Sequence, residues 1–305
     1  AIAVLADRNA GEAAPVLLKL ALRATPELRQ EAVRALRTLA PPEMLPELLA
    51  LSTPKILEPV RELLPQTIAQ TATRVPDPLV QADAIIKALN GATAVEVQAV
   101  LLESLGLLGT SQAFEAIKSY PNTTEIEVRR AMVSALSRFQ SPEALNELRS
   151  ILLTERDEGV RARAYSGYIA SLRNASNVAL RDVIPHLQTA YEQAKSPAEL
   201  RDLLAAATQL PSLATLRIIE SVAEKGGAAA EVSQAMVKVC IALAGAYPEE
   251  ARGRLESLIA EGKLPDALKG QAQQALDMMQ RFEGYIMAWA VAGPYFEANV
   301  SAESL

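Results

Sequence analysis

A two-helix unit recurs along this chain, and a unit of that length leaves few folds open. Residues 125–161 show it most cleanly: EIEVRRAMVSALSRFQSPEALNELRSILLTERDEGVR. After Val128-Arg129, apolar or small residues stand at Met132, Val133, Ala135, Leu136 and Phe139. Steps of three and four place them on one face of a helix. Ser141-Pro142-Glu143 then reads as a helix start: a serine cap, a proline where no N–H is needed, and an acid facing the helix dipole. A second stripe follows through Leu145, Leu148, Ile151 and Leu152, and the chain breaks near Asp157 before Val160-Arg161 opens the next unit. Short isolated helices are marginal in water, so each must bury its stripe on its partner and on the next pair.

The opening apolar residues are Leu28, Val60, Val97, Val128, Val160, Leu200, Val232 and Leu268, at steps of 32, 37, 31, 32, 40, 32 and 36. Such a period is two helices and two turns long. The second helices agree in register. Pro42–Leu48 and Pro142–Leu148 share five of seven residues, and each starts 14 positions after its own opening residue. Cap-then-proline pairs recur at Thr25-Pro26, Thr53-Pro54, Ser141-Pro142 and Ser196-Pro197. Gly91, Gly109, Gly226-Gly227 and Gly262 fall at expected turns, and Pro15, Pro46 and Pro185 lie near the starts of second helices, in the first turn or at a bend.

The pattern resembles the HEAT repeat, in particular its short bacterial form related to phycobilisome-lyase repeats. The likeness rests on Val-Arg at 60–61, 128–129 and 160–161, Ala-x-x-Ala-Leu at 32–36 and Ala-Leu at 135–136, and covers residues 1–283. Departures are Gln98, Ser233 and Lys269 at the arginine position and the proline-rich unit from 53 to 90. The expected fold is all-α: a right-handed α-solenoid of about seven to eight helix pairs. Composition agrees, because the 50% hydrophobic share comes from Ala and Leu with only 4% aromatic, which suits close helix packing.

Charge narrows the partners. The net charge is −6, and Lys and Arg do not gather on the second helices, which are expected to line the concave side. A nucleic-acid groove needs a basic stripe, so nucleic acid is excluded as a partner. No apolar run is long enough to span a bilayer.

Catalytic chemistry finds little footing. His186 is the only histidine and falls on the flank of a stripe formed by Val183, Ile184, Leu187, Ala190, Tyr191 and Ala194. Without a second histidine and with one cysteine, Cys240, on an apolar helix, no zinc site or nucleophile triad is readable. Cys240 reads as a small buried hydrophobe. Acid pairs such as Glu125/Glu127, Glu155/Asp157 and Glu249/Glu250 sit at helix starts, where acids cap. Leu105-Gly106-Leu107-Leu108-Gly109 is a helix end rather than a phosphate loop. Tyr165 and Tyr168 take stripe positions where other units have small residues, and are expected to pack on the neighbouring repeat. No catalytic, cofactor-binding or metal-binding residue is assigned.

The rhythm stops after Arg281. Residues 284–305 form a distinct tail holding the only tryptophan, Trp289, with Tyr285, Tyr295 and Phe296. Alternation from Ile286 to Ala292 suits a strand. Trp289-x-x-x-Gly293-Pro294-Tyr295 resembles the opening strand of β-rich modules that follow HEAT arrays in large exported bacterial proteins, often beside sugar-acting domains. The tail is thus either a cap on the solenoid or the start of a further module. The opening Ala-Ile-Ala-Val-Leu-Ala reads as the end of a helix, so the chain is expected to be a mature or excised segment.

The function expected from the repeat is non-catalytic: a protein-interaction scaffold that binds a protein partner without cofactor on its concave surface. The resemblances leave two alternatives, an accessory arm of a larger carbohydrate-active exported protein and a phycobilin lyase-like protein. They also favour an exported or periplasmic location, with a cytoplasmic one open.

Overall fold

A computed structural model describes residues 2–121, 123–174, 179–226 and 228–285. Among these residues there are helices and turns but no strands. The strand and cap readings of the tail beyond Tyr285 lie outside the described residues.

The chain divides into two compact units after Asp202. The first holds α1 (Ile2–Asp7), α2 (Ala14–Arg23), α3 (Pro26–Leu39), α4 (Leu45–Leu49), α5 (Pro54–Leu57), α6 (Leu64–Ala72), α7 (Asp83–Gly91), α8 (Val95–Leu108), α9 (Ser111–Lys118), α10 (Ile126–Leu136), α11 (Pro142–Thr154), α12 (Glu158–Arg173) and α13 (Leu180–Gln193). Helix α14 (Pro197–Ala207) runs across the division. The second unit continues with α15 (Leu213–Lys225), α16 (Ala229–Leu243), α17 (Pro248–Ala260) and α18 (Asp266–Arg281). Every opening residue of the repeat falls in a first helix or, for Val60, in the 3₁₀ turn that leads into one.

In the first unit the first helices pack on one another in series, α3 on α6, α6 on α8, α8 on α10 and α10 on α12, while α7, α9 and α11 pack beside them. This explains two kinds of amphipathicity. A middle helix such as α8 meets α6, α7, α9 and α10, so it is buried nearly all round, at Ala99, Val100, Leu101, Leu102, Ser104, Leu105, Gly106 and Leu108. Helix α9 buries only Ala113, Phe114 and Ile117 and keeps a polar outer face.

Small residues set how closely the first helices approach. A β-carbon on Gly106 would lie 2.5 Å from the Cα of Ala135, so α8 rests on the backbone of α10. One on Gly167 would lie 2.8 Å from the Cβ of Ser137, so α12 rests on the side chain of Ser137 at the end of the same helix. Helix ends follow the same economy of small groups. Gly109, Gly226 and Gly262 adopt φ of 71°, 74° and 68°, which only glycine takes without strain.

Two of the four cap-then-proline pairs act as side-chain caps: Ser141 Oγ accepts from Ala144 N at 3.1 Å, and Ser196 Oγ from Glu199 N at 3.2 Å. Thr25 and Thr53 make no such bond. Thr110, Asp157 and Ser212, none followed by proline, cap α9, α12 and α15 instead. Pro15 and Pro46 lie in first turns, whereas Pro185 is inside α13. Leu28 departs from expectation: it is 44% exposed, because the buried stripe of α3 begins one turn later at Ala32.

The proline-rich unit is irregular. Prolines at 54, 59 and 65 break its first helix into α5, a 3₁₀ turn and α6, since each removes an N–H donor. Arg74, in the turn after α6, donates to the carbonyls of Ala40, Arg37 and Thr38 at 2.5, 2.8 and 2.9 Å, which caps the C-terminal end of α3.

The packing predicts opposite signs for two glycine substitutions. Alanine is worth about 1 kcal/mol over glycine in a helix interior. At Gly106 overpacking by about 1–3 kcal/mol exceeds that gain, so Gly106→Ala lowers stability. Gly270 faces open space on α18, so Gly270→Ala raises it. Urea denaturation of both variants checks the pair. In the same assay Ser141→Ala is expected to lose about 1 kcal/mol with its cap.

Candidate functional site

At four repeats the side chain after the opening residue, Arg29, Gln98, Arg129 or Arg161, reaches for a turn between repeats. Arg129 Nη1 on α10 donates to both oxygens of Glu155 at 2.6 and 2.7 Å. Glu155 Oε1 also accepts from the backbone N–H groups of Arg156 and Asp157, each at 2.7 Å. One repeat later Arg161 Nη2 donates to Glu199 Oε1 at 2.5 Å, and Glu199 Oε2 accepts from Lys195 N at 2.6 Å. This second pair is buried, Arg161 being 6% and Glu199 8% exposed. At other repeats the reach is shorter: Arg29 donates to Ala24 O at 2.9 Å, and Gln98, at the arginine position, to Ala92 O at 2.8 Å. Arg61 instead pairs with Glu127 on α10.

Around Arg161 lie the aromatic residues marked in the sequence. Tyr165 and Tyr168 on α12 are fully buried. The Tyr165 hydroxyl lies 3.2 Å from the carbonyl of Ala190 and 3.1 Å from that of Glu199. The Tyr168 hydroxyl lies 2.8 Å from His186 Nδ1 and 3.1 Å from the His186 carbonyl. Burial pushes both phenols well above their ordinary range. Thus α12 is fixed to α13 and to the start of α14 by hydroxyls that meet helix carbonyls. His186 is half-buried, and burial, aided by the Arg149 cation, lowers its pKa. It borders a cleft of about 280 Å³ shared with Gln140, Asn146 and Asp182.

The sequence-marked residues therefore divide. Tyr165, Tyr168 and His186 come together, but in a junction where both hydroxyls and His186 Nδ1 are already bonded. Cys240 is buried in α16 of the second unit, and burial pushes its thiol up to about 11, so it carries little thiolate. Among the described residues no three His, Cys, Asp or Glu side chains converge as metal ligands. No described helix is long and apolar enough to cross a membrane. Glu199 was not singled out in the sequence, yet Ser196-Pro197-Ala198-Glu199 carries the spacing of a capping box, which is a readable signal.

Two open grooves lie in the second unit. One, of about 870 Å³, lies between α15, α16 and α17, with Val222, Met236, Leu258 and Leu264 in its wall and Glu249 and Glu250 at its edge. The other, of about 680 Å³, lies where α16 ends and α17 begins, along α18. Nothing in residue spacing alone marks these grooves, because they are gaps between helices.

Comparison with known proteins places the repeat. Residues 82–168 match the family model of HEAT repeats. They run from the residue before α7 into α12. No curated protein matches the chain. Among solved structures, the chain is similar to an engineered protein at 19% identity, covering 87% of this chain and 78% of that one, with a TM-score of 0.42. It is similar to human deoxyhypusine hydroxylase in complex with glycerol at 17% identity, covering 91% and 99%, with a TM-score of 0.37.

Two predictions follow from the junction. Breaking a buried pair leaves an uncompensated charge, so Glu199→Ala should cost about 3–5 kcal/mol, while replacing both partners with Arg161→Met and Glu199→Leu should recover most of it. Denaturation of the full chain reads both. For His186, the folded state favours the neutral ring. Stability from this group is complete above the unfolded pKa of about 6.5 and is lost as pH falls through the lowered folded value. Acidification from about pH 7 to 5 should lower the unfolding midpoint of the native chain more than that of His186→Gln.

Proposed function

We propose that this chain is a non-catalytic protein-binding scaffold. The observation that carries the reading is the open groove between α15, α16 and α17, whose apolar walls are bordered by Glu220, Glu249, Glu250 and Glu261 against Arg254 and Lys263. A groove of this kind takes an extended or helical segment of another protein by burying a few apolar anchors on a preformed surface. The polar groups that could have done chemistry support the same reading. His186 is bonded to Tyr168, Glu155 to Arg129 and Glu199 to Arg161. The HEAT-repeat match is a further support, because stacked helix pairs expose long surfaces suited to protein contacts.

Selection of a displayed peptide library on the purified chain tests the proposal. Enriched peptides are expected to carry apolar anchors flanked by Lys or Arg, opposite Glu249 and Glu250. Ser233→Arg with Ser257→Arg obstructs this groove from its surface. It should weaken their binding at least tenfold, about 1.4 kcal/mol, with an unchanged unfolding midpoint. Peptides that bind the double variant equally well, or no enrichment, would overturn the reading. Adding a bilin is expected to leave its absorbance unchanged; a shifted spectrum would favour lyase-type chemistry instead.

A further inference from the structure

Among the described residues of the second unit, the large apolar side chains left exposed are Ile241, Tyr247, Met278, Phe282 and Tyr285. They gather at one place. Ile241, Met278, Phe282 and Tyr285 line the groove of about 680 Å³, and Tyr247 lies between two more of its residues, Ala246 and Pro248. Met278 is 52% and Tyr285 72% exposed. Apolar side chains scattered singly on a surface need no explanation, but a contiguous group marks a contact.

We propose that this groove seats the segment that follows it in the same chain, residues 286–296. The argument rests on continuity, composition and reach. Tyr285 stands at the lip of the groove, one peptide bond from Ile286. The segment Ile-Met-Ala-Trp-Ala-Val-Ala-Gly-Pro-Tyr-Phe has six large apolar residues and no charge. The lining residues from Gln271 to Phe282 recur every three or four positions along one face of α18. That face is about 17 Å long at about 1.5 Å per residue. Eleven residues extend up to about 36 Å, so the segment can run back along the whole groove. A tethered occupant also binds at an effective concentration in the millimolar range, whereas a free partner loses translational and rotational freedom on docking. This proposal goes beyond the scaffold reading and uses a different groove, so either can fail alone.

Trp289 is the only tryptophan, so intrinsic fluorescence of the full chain reports this segment directly. The expected result is blue-shifted emission and weak acrylamide quenching. Ile241→Glu and Met278→Glu, both at partly exposed positions, should each shift the emission to the red and raise quenching several-fold. Far-ultraviolet circular dichroism should stay helical in both. Met278→Gln should give a smaller shift in the same direction, and Val16→Glu, exposed in the first unit, none. Red emission and strong quenching in the native chain would overturn the proposal. So would blue emission that neither groove variant moves, which would place Trp289 in a separate module. Emission that turns red on dilution would overturn it too, in favour of a second copy as occupant.

Discussion

The direct packing of one first helix on the next is the contact on which the first unit depends. The helices there are at most 16 residues long, and most fall in the range that is marginal alone in water. Stability has to come from tertiary burial, and burial in a stack is limited by how near two helix axes can come. Gly106 brings α8 against the backbone of α10 at Ala135, and Gly167 brings α12 onto the side chain of Ser137 at the end of α10. The Ala- and Leu-rich, aromatic-poor composition follows from that spacing. Bulk is placed where a helix faces its second-helix partner, as where Phe114 of α9 meets Phe139 after α10, edge to face with centroids 5.3 Å apart.

Close packing aligns helices but does not by itself fix the turns between them, where backbone groups are left without partners. At four repeats the side chain after the opening residue addresses this. At Arg129 and Arg161 the guanidinium holds a carboxylate that in turn accepts backbone N–H groups of the next turn. The longest step of the repeat, 40 residues from Val160 to Leu200, is also where this tie is most buried. Tyr165 and Tyr168 reinforce it there by bonding carbonyls of α13 and α14. A longer connection has more freedom to lose on ordering, and these added bonds offset that cost.

The same bonds bear on function. A titratable side chain that already satisfies a turn or a neighbouring helix is committed to the fold, and moving it to catalysis would leave buried groups unpaired. In the second unit the open grooves have apolar walls and charged edges. Glu249 lines both grooves, and they differ in that one alone carries the exposed aromatics that lead into an uncharged segment of the same chain.

Much of the fold was legible in the sequence because helix periodicity and the repeat of an apolar-then-arginine pair are local or periodic signals. They located every first helix, the cap at Ser141, the helix end at Gly109 and the buried character of Cys240, Tyr165 and Tyr168. Thr25 and Thr53 show the limit of local reading, since the same cap-then-proline pattern made a bond in only two of four cases, and the rotamer that closes a cap depends on what surrounds the turn. The partners of Arg129, Arg161 and His186, the closeness of Gly106 to Ala135 and the grooves of the second unit were decided by tertiary structure alone. Each joins residues a full helix or more apart, and the relative placement of two helices is set by the fit of their surfaces, which no single stretch of sequence contains.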